Sequence, residues 1–207
     1  MRRSPRNRQG ISLVVIMISL LITASCSTPS SQRMRSFDAA PSCCASMASF
    51  PYRSLASVQR ATIELTAASP AFVFPSGKSY FAAFELPPFD GPYRIKIDSY
   101  LLGDENEIFL PVVLTLNGQH YVARSFPEDL FRPATTALNG NSGPPRTLTA
   151  TIEVGEVERT ERYLVILTRE DLLGAWISTS SSNGEERSRI RTAPVGRLLL
   201  RVEQIVP

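Results

Sequence analysis

The chain has 207 residues, 43% of them hydrophobic and 20% charged, with three cysteines, one histidine and one tryptophan. This balance excludes wholesale disorder, and one domain of roughly 150 residues can bury a core without metals or many disulfides. The formal charge of +3 rests on Arg2, Arg3, Arg6 and Arg8; without them it is −1, which removes the electrostatic case for nucleic acid.

Those four arginines precede an apolar run from Ile11 to Ile22. The run is too short to cross a hydrocarbon core of about 30 Å as a helix and fits the centre of a signal peptide. Small residues, Thr23-Ala24-Ser25, lead to Cys26. A cysteine there is what a bacterial lipoprotein signal offers: diacylglycerol on its thiol and acylation of its freed amine. Several acyl chains anchor durably, at about 0.8 kcal/mol per buried CH2. Residues 1–25 are therefore expected to be a lipoprotein signal peptide and Cys26 the lipidated residue. The alternative is a secretory signal cut near Ala24 or Ser25. Ser27, in place of an aspartate, favours the periplasmic side of the outer membrane. Residues Ser27 to Pro41 are rich in Ser, Pro and Ala without apolar periodicity, which predicts a flexible tether over 26–42.

A domain over 43–207 follows. Cys43 to Phe50 predicts a short helical turn stopped by Pro51. Short apolar runs then predict strands at Ala61–Leu65, Ala71–Phe74 and Ser79–Leu86, the last with Tyr80, Ala82, Phe84 and Leu86 on one face. Tyr93, Ile95, Ile97 and Ser99 alternate strictly with Arg94, Lys96 and Asp98, the mark of a half-buried strand. Ile108–Leu116 is a nearly continuous apolar strand, and Asn117-Gly118 predicts a hairpin returning over Gln119–Ser125. Pro127–Leu130 reads as a brief helical turn and Ala137–Arg146 as a loop. Strands resume at Thr147–Val154 and Arg162–Thr168, with a helical turn over Arg169–Leu173. Ser178–Arg191 is polar and reads as mobile, and Val195–Val206 as the final strand. About nine short strands with Pro- and Gly-rich turns predict an all-β, antiparallel β-sandwich, jelly-roll-like, with short helical turns only.

The chemistry along the chain is sparse. Cys43 and Cys44 are adjacent and destined for an oxidising compartment, so they form either a short disulfide staple or two buried thiols. They lack the C-x-x-C spacing of a redox pair, and with His120 they cannot complete a zinc site. No nucleophile elbow surrounds a serine, and His120 reads as a hairpin surface residue. The carboxylate clusters at Asp104-Glu105-Glu107, Glu128-Asp129, Glu170-Asp171 and Glu185-Glu186 read as solvated charge. No catalytic residue, metal or cofactor is expected. Sugars stack on aromatic faces, which makes Trp176, Tyr100 and Tyr121 candidate ligand-binding residues.

Several segments in order resemble the maltose operon periplasmic protein family (MalM-type). They are Cys43-Cys44, Phe50-Pro51-Tyr52, Ser69-Pro70-Ala-Phe72-Val-Phe74, Gly77-Lys78-Ser-Tyr80-Phe81-Ala-Ala-Phe84-Glu-Leu86-Pro87, Tyr93 to Leu101, Pro111-Val-Val-Leu114 and Glu161 to Thr168. The resemblance implies a periplasmic protein associated with maltodextrin uptake and carries over no catalytic residues. The function expected is that of a non-enzymatic envelope lipoprotein, accessory to carbohydrate uptake, that binds a glycan or an outer-membrane porin. A structural or assembly lipoprotein that binds protein and no sugar is the alternative.

Overall fold

The computed structural model of the protein describes residues 30–55, 60–103, 106–134, 147–180 and 187–205. The expected signal peptide, Cys26, the 137–146 loop and the Asp104-Glu105 and Glu185-Glu186 clusters lie outside the described residues.

The architecture is the expected all-β sandwich. The smaller sheet has five strands in the order β1 (Arg53–Ser54), β5 (Ala82–Glu85), β12 (Glu161–Leu167), β8 (Val112–Asn117) and β9 (Val122–Phe126). The larger runs β10 (Arg132–Pro133), β11 (Thr147–Val154), β6 (Tyr93–Leu102), β7 (Glu107–Ile108), β14 (Arg187–Thr192) and β13 (Trp176–Ser180). β15 (Gly196–Gln204) also pairs with β6, and β2 (Arg60–Leu65) lies beyond it. β3 (Ala71–Phe74) and β4 (Gly77–Tyr80) form a separate hairpin.

Alternation decides which faces meet. Along β6, Tyr93, Ile95 and Ile97 point into the space between the sheets, where Ile152, Val154, Leu198 and Leu200 join them. Across that core stand Ala82, Phe84, Val113, Leu164 and Ile166 of the smaller sheet. The other face of the smaller sheet is apolar too: Ala83, Leu114, Leu116 and Val165 pack with Phe50, Phe74 and Phe81. β8 therefore lies between two apolar layers, which explains its nearly unbroken run of apolar side chains. The outer layer is held by the 42–52 segment, where Ser42 bridges Ala71 and the Cys43 amide donates to the Ala71 carbonyl at 2.8 Å.

Expected helical turns occur at Met47–Ser49, Glu128–Leu130 and Glu170–Leu172. Five details correct the expectations. The sheets are not purely antiparallel, since β1–β5 and β14–β7 pair in parallel. The run expected as one strand from Ser79 to Leu86 breaks at Phe81, so Tyr80 joins a third apolar cluster while Ala82 and Phe84 face the main core. Ile108–Leu116 likewise divides into β7 and β8. The polar 178–191 stretch contains a hairpin, Trp176 opposite Arg191 and Ile177 opposite Ile190, because buried Ile190 supplies a core contact its polar neighbours conceal.

The fifth correction concerns the tether. Ser30–Ala39 forms a ten-residue helix, α1, not an irregular linker. One buried side chain, Phe37, fastens it edge-on to Tyr80, with ring centroids 5.4 Å apart. Arg33 pairs with buried Glu107 at 2.5 Å. A single anchoring aromatic leaves no apolar period, so pattern reasoning does not register such a helix.

A groove on the outer face of the smaller sheet

The described residues form a concave surface on the smaller sheet. On the outer face of the smaller sheet, beside edge strand β9, a groove of about 680 Å³ opens between the 3-10 turn at Met47 and β9. Its floor is Val112 and Leu114 of β8 and Leu167 of β12. Met47 and Phe74 line it together with Val122 and Ser125 of β9. Phe74 is the single aromatic among these lining residues.

Charge is confined to a cluster of three residues. Arg169 grips Asp171 with two hydrogen bonds, Nε to Oδ1 at 3.0 Å and Nη2 to Oδ2 at 2.6 Å. Its Nη1 donates to Glu128 Oε1 at 2.8 Å. The hydrogen bonds from Arg169 hold the Asp171 carboxyl below the usual aspartate range, and those to Asp171 raise Arg169 in turn. Two carboxylates against one guanidinium leave an excess negative charge. Glu128 Oε2 is buried with no hydrogen-bond partner. A buried acceptor left unpaired is costly and favours an incoming donor. The groove is thus an apolar trough with one charged cluster, Glu128, Arg169 and Asp171, in its lining.

The residues singled out by sequence do not converge there. Tyr100, half-buried, lies on β6 in the larger sheet; Tyr121 is 72% exposed next to the β8–β9 turn of the smaller one. Trp176 is 55% exposed on edge strand β13, with the Arg189 guanidinium 5.8 Å from its ring centroid. None of the three lines the groove. Cys43 and Cys44 are disulfide-bonded, and Cys44 packs partly against the outer apolar layer. His120 is half-buried: it adopts a left-handed φ of 62° and stacks on Tyr163 at 4.3 Å, with Tyr52 against both rings. Asn117 closes this turn by accepting the Gln119 and Tyr121 amides on Oδ1, so the hairpin is wider than a two-residue Asn-Gly turn. The groove residues escaped sequence reading because Met47, Phe74, Leu114 and Val122 are spread over four segments and look like ordinary core. The Arg169-Glu170-Asp171 run was a visible signal, but its pairing with Glu128 required the fold.

The fold is that of a small all-β domain with a groove on its outer face. A family model described as maltose operon periplasmic protein precursor (MalM) matches residues 76–206, well over half of the chain. The chain belongs to that family, and it is a periplasmic, maltose-operon-associated protein. The matched stretch starts after the Cys43-Cys44 and Phe50-Pro51-Tyr52 segments and extends through β15. No curated protein and no solved structure matches the chain significantly.

Proposed function

We propose that the protein is a non-enzymatic accessory of carbohydrate uptake, held on the periplasmic side of the outer membrane by acyl chains on Cys26, and that it acts by docking a porin-type protein partner in the groove. One observation carries the preference for protein over free sugar: the groove is floored by aliphatic side chains, and the aromatic candidates for stacking a sugar lie elsewhere. An apolar protein segment suits such a floor, with edge strand β9 alongside to orient it.

Three measurements test the reading. Metabolic labelling with palmitate should mark Cys26; an unlabelled mature chain would remove the anchor. Porins should co-purify with the lipidated protein, and Val122→Arg, at a 47% exposed position on the groove wall, should cut recovery about tenfold at unchanged thermal stability. Calorimetry with maltodextrins should show no heat. Heat with maltodextrin and no porin recovered would transfer the role to sugar binding, and silence in both would end the proposal. The second reading, an envelope assembly protein that binds no sugar, draws on β9 itself, which pairs in the sheet on one side only. Crosslinking through β9 to an assembly machine, with no transport protein recovered, would favour it.

A further inference from the structure

We infer that the outer face of the β13–β14 hairpin, centred on Trp176, rests on the phospholipid surface to which the chain is anchored. The inference rests on the acylation of Cys26 proposed above and adds where the domain touches the membrane.

The first observation is length. α1 begins at Ser30, and three residues separate it from Cys26. Fully extended, that chain spans at most about 14 Å. The headgroup zone of one leaflet is itself about 5–8 Å deep. Because Phe37 and Arg33 bind α1 to the body, its first turn cannot swing away to lengthen the leash. The part of the domain that touches Ser30 is therefore held against the lipid surface.

The second observation identifies that part. Ser30 Oγ lies 3.4 Å from Nη1 of Arg191 on β14. Register places Arg191 opposite Trp176 and Arg189 opposite Ser178. Opposed residues share a face, so Trp176, Ser178, Arg189 and Arg191 lie on one side of the ribbon. Ile177 and Ile190 occupy the other side and join the core. The outer face thus presents a half-exposed indole with a guanidinium over it and a second guanidinium beside Ser30, the first residue of α1. Indoles favour the membrane interface, where an apolar ring with one N–H is half solvated, and arginines pair with lipid phosphates. None of the groove's lining residues belongs to β13 or β14, so contact here leaves those residues unused.

Trp176 is the chain's sole tryptophan, which makes it its own reporter. The lipidated protein is reconstituted into phosphatidylethanolamine–phosphatidylglycerol vesicles, with and without lipids spin-labelled near the headgroup. Expected is a blue-shifted emission and a roughly twofold loss of intensity with the labelled lipid, reduced in Arg189→Glu, a change at an exposed side chain, with folding checked by an unchanged melting temperature. Palmitate labelling is scored on the same preparation. A labelled chain whose tryptophan is unquenched overturns the inference and leaves the anchor standing; an unlabelled chain overturns both. Emission shielded from aqueous iodide yet indifferent to labelled lipid also overturns it, assigning the face to a protein partner instead.

Discussion

Phe37→Ala should release α1 while leaving the sandwich intact. Phe37 is 1% exposed and is the one buried residue of the helix; its ring meets Tyr80 edge-on and lies 5.4 Å from the Lys78 ammonium. Truncating such a phenylalanine costs about 3–5 kcal/mol. What remains includes Arg33–Glu107, the Arg191–Ser30 bond, partial packing of Met34, and two bonds to backbone carbonyls, Tyr80 hydroxyl to Ser36 and Lys78 to Asp38. A ten-residue helix is only marginal in water without tertiary contacts. Since none of the main core residues touches this site through Phe37, the loss should be local. Native-state hydrogen exchange reads it directly: amides of 30–39 should lose about two orders of magnitude of protection, the equivalent of roughly 3 kcal/mol. Amides of β6 and β15 should keep theirs. Unchanged protection in α1, or equal losses in α1 and the central strands, would refute the reasoning.

Three further outcomes follow from the packing. Gly196→Ala places a Cβ 2.3 Å from Phe109 Cβ, and should lower stability by about 1–3 kcal/mol in urea unfolding, less than additively with Phe109→Ala. Arg124→Met strips buried Glu161 of its two-point partner, Nε to Oε1 at 2.6 Å and Nη2 to Oε2 at 2.8 Å, and should cost about 3–5 kcal/mol in the same assay. Burial, then Tyr163, pushes the Tyr52 phenol up to about 12, and burial first of all takes Tyr93 to about 12. Both phenols are neutral in folded and unfolded chains below pH 10, so their stabilising contribution is complete there. Above that the unfolded chain ionises first, and the contribution is lost as pH rises through 12. Ultraviolet titration of tyrosinate should show a late class absent in urea, and Tyr93→Phe should shrink it.

Much of the fold was legible because alternation is a local signal. β6 and β11 each have one face on the main core, and their text says so residue by residue. Where a strand lies between two apolar layers, alternation disappears, so the break at Phe81 and the division of Ile108–Leu116 could not be placed. The 178–191 stretch misled for the opposite reason: arginines and serines fill the outer positions of β13–β14, and Ile177 and Ile190 alone mark the core. α1 was hidden because one phenylalanine docks it. The groove was invisible because its charged end joins Glu128 to Arg169 and Asp171, 41 residues along the chain from the first to the second, a distance only topology closes.

The position of β15 bears on the order in which the larger sheet can close. Among the described residues β2 has β15 as its sole sheet partner, and Tyr93–Tyr100 of β6 pair with β15 along one whole side. The last described strand thus completes the middle of the larger sheet rather than its rim. Until residues 196–204 are synthesised, β6 can pair with β11 but its other flank stays open, so the larger sheet cannot close before β15 is made. The same arrangement makes a chain truncated ahead of Gly196 a ready target for envelope proteases, because β2 would then be left without a partner and β6 with one flank uncovered.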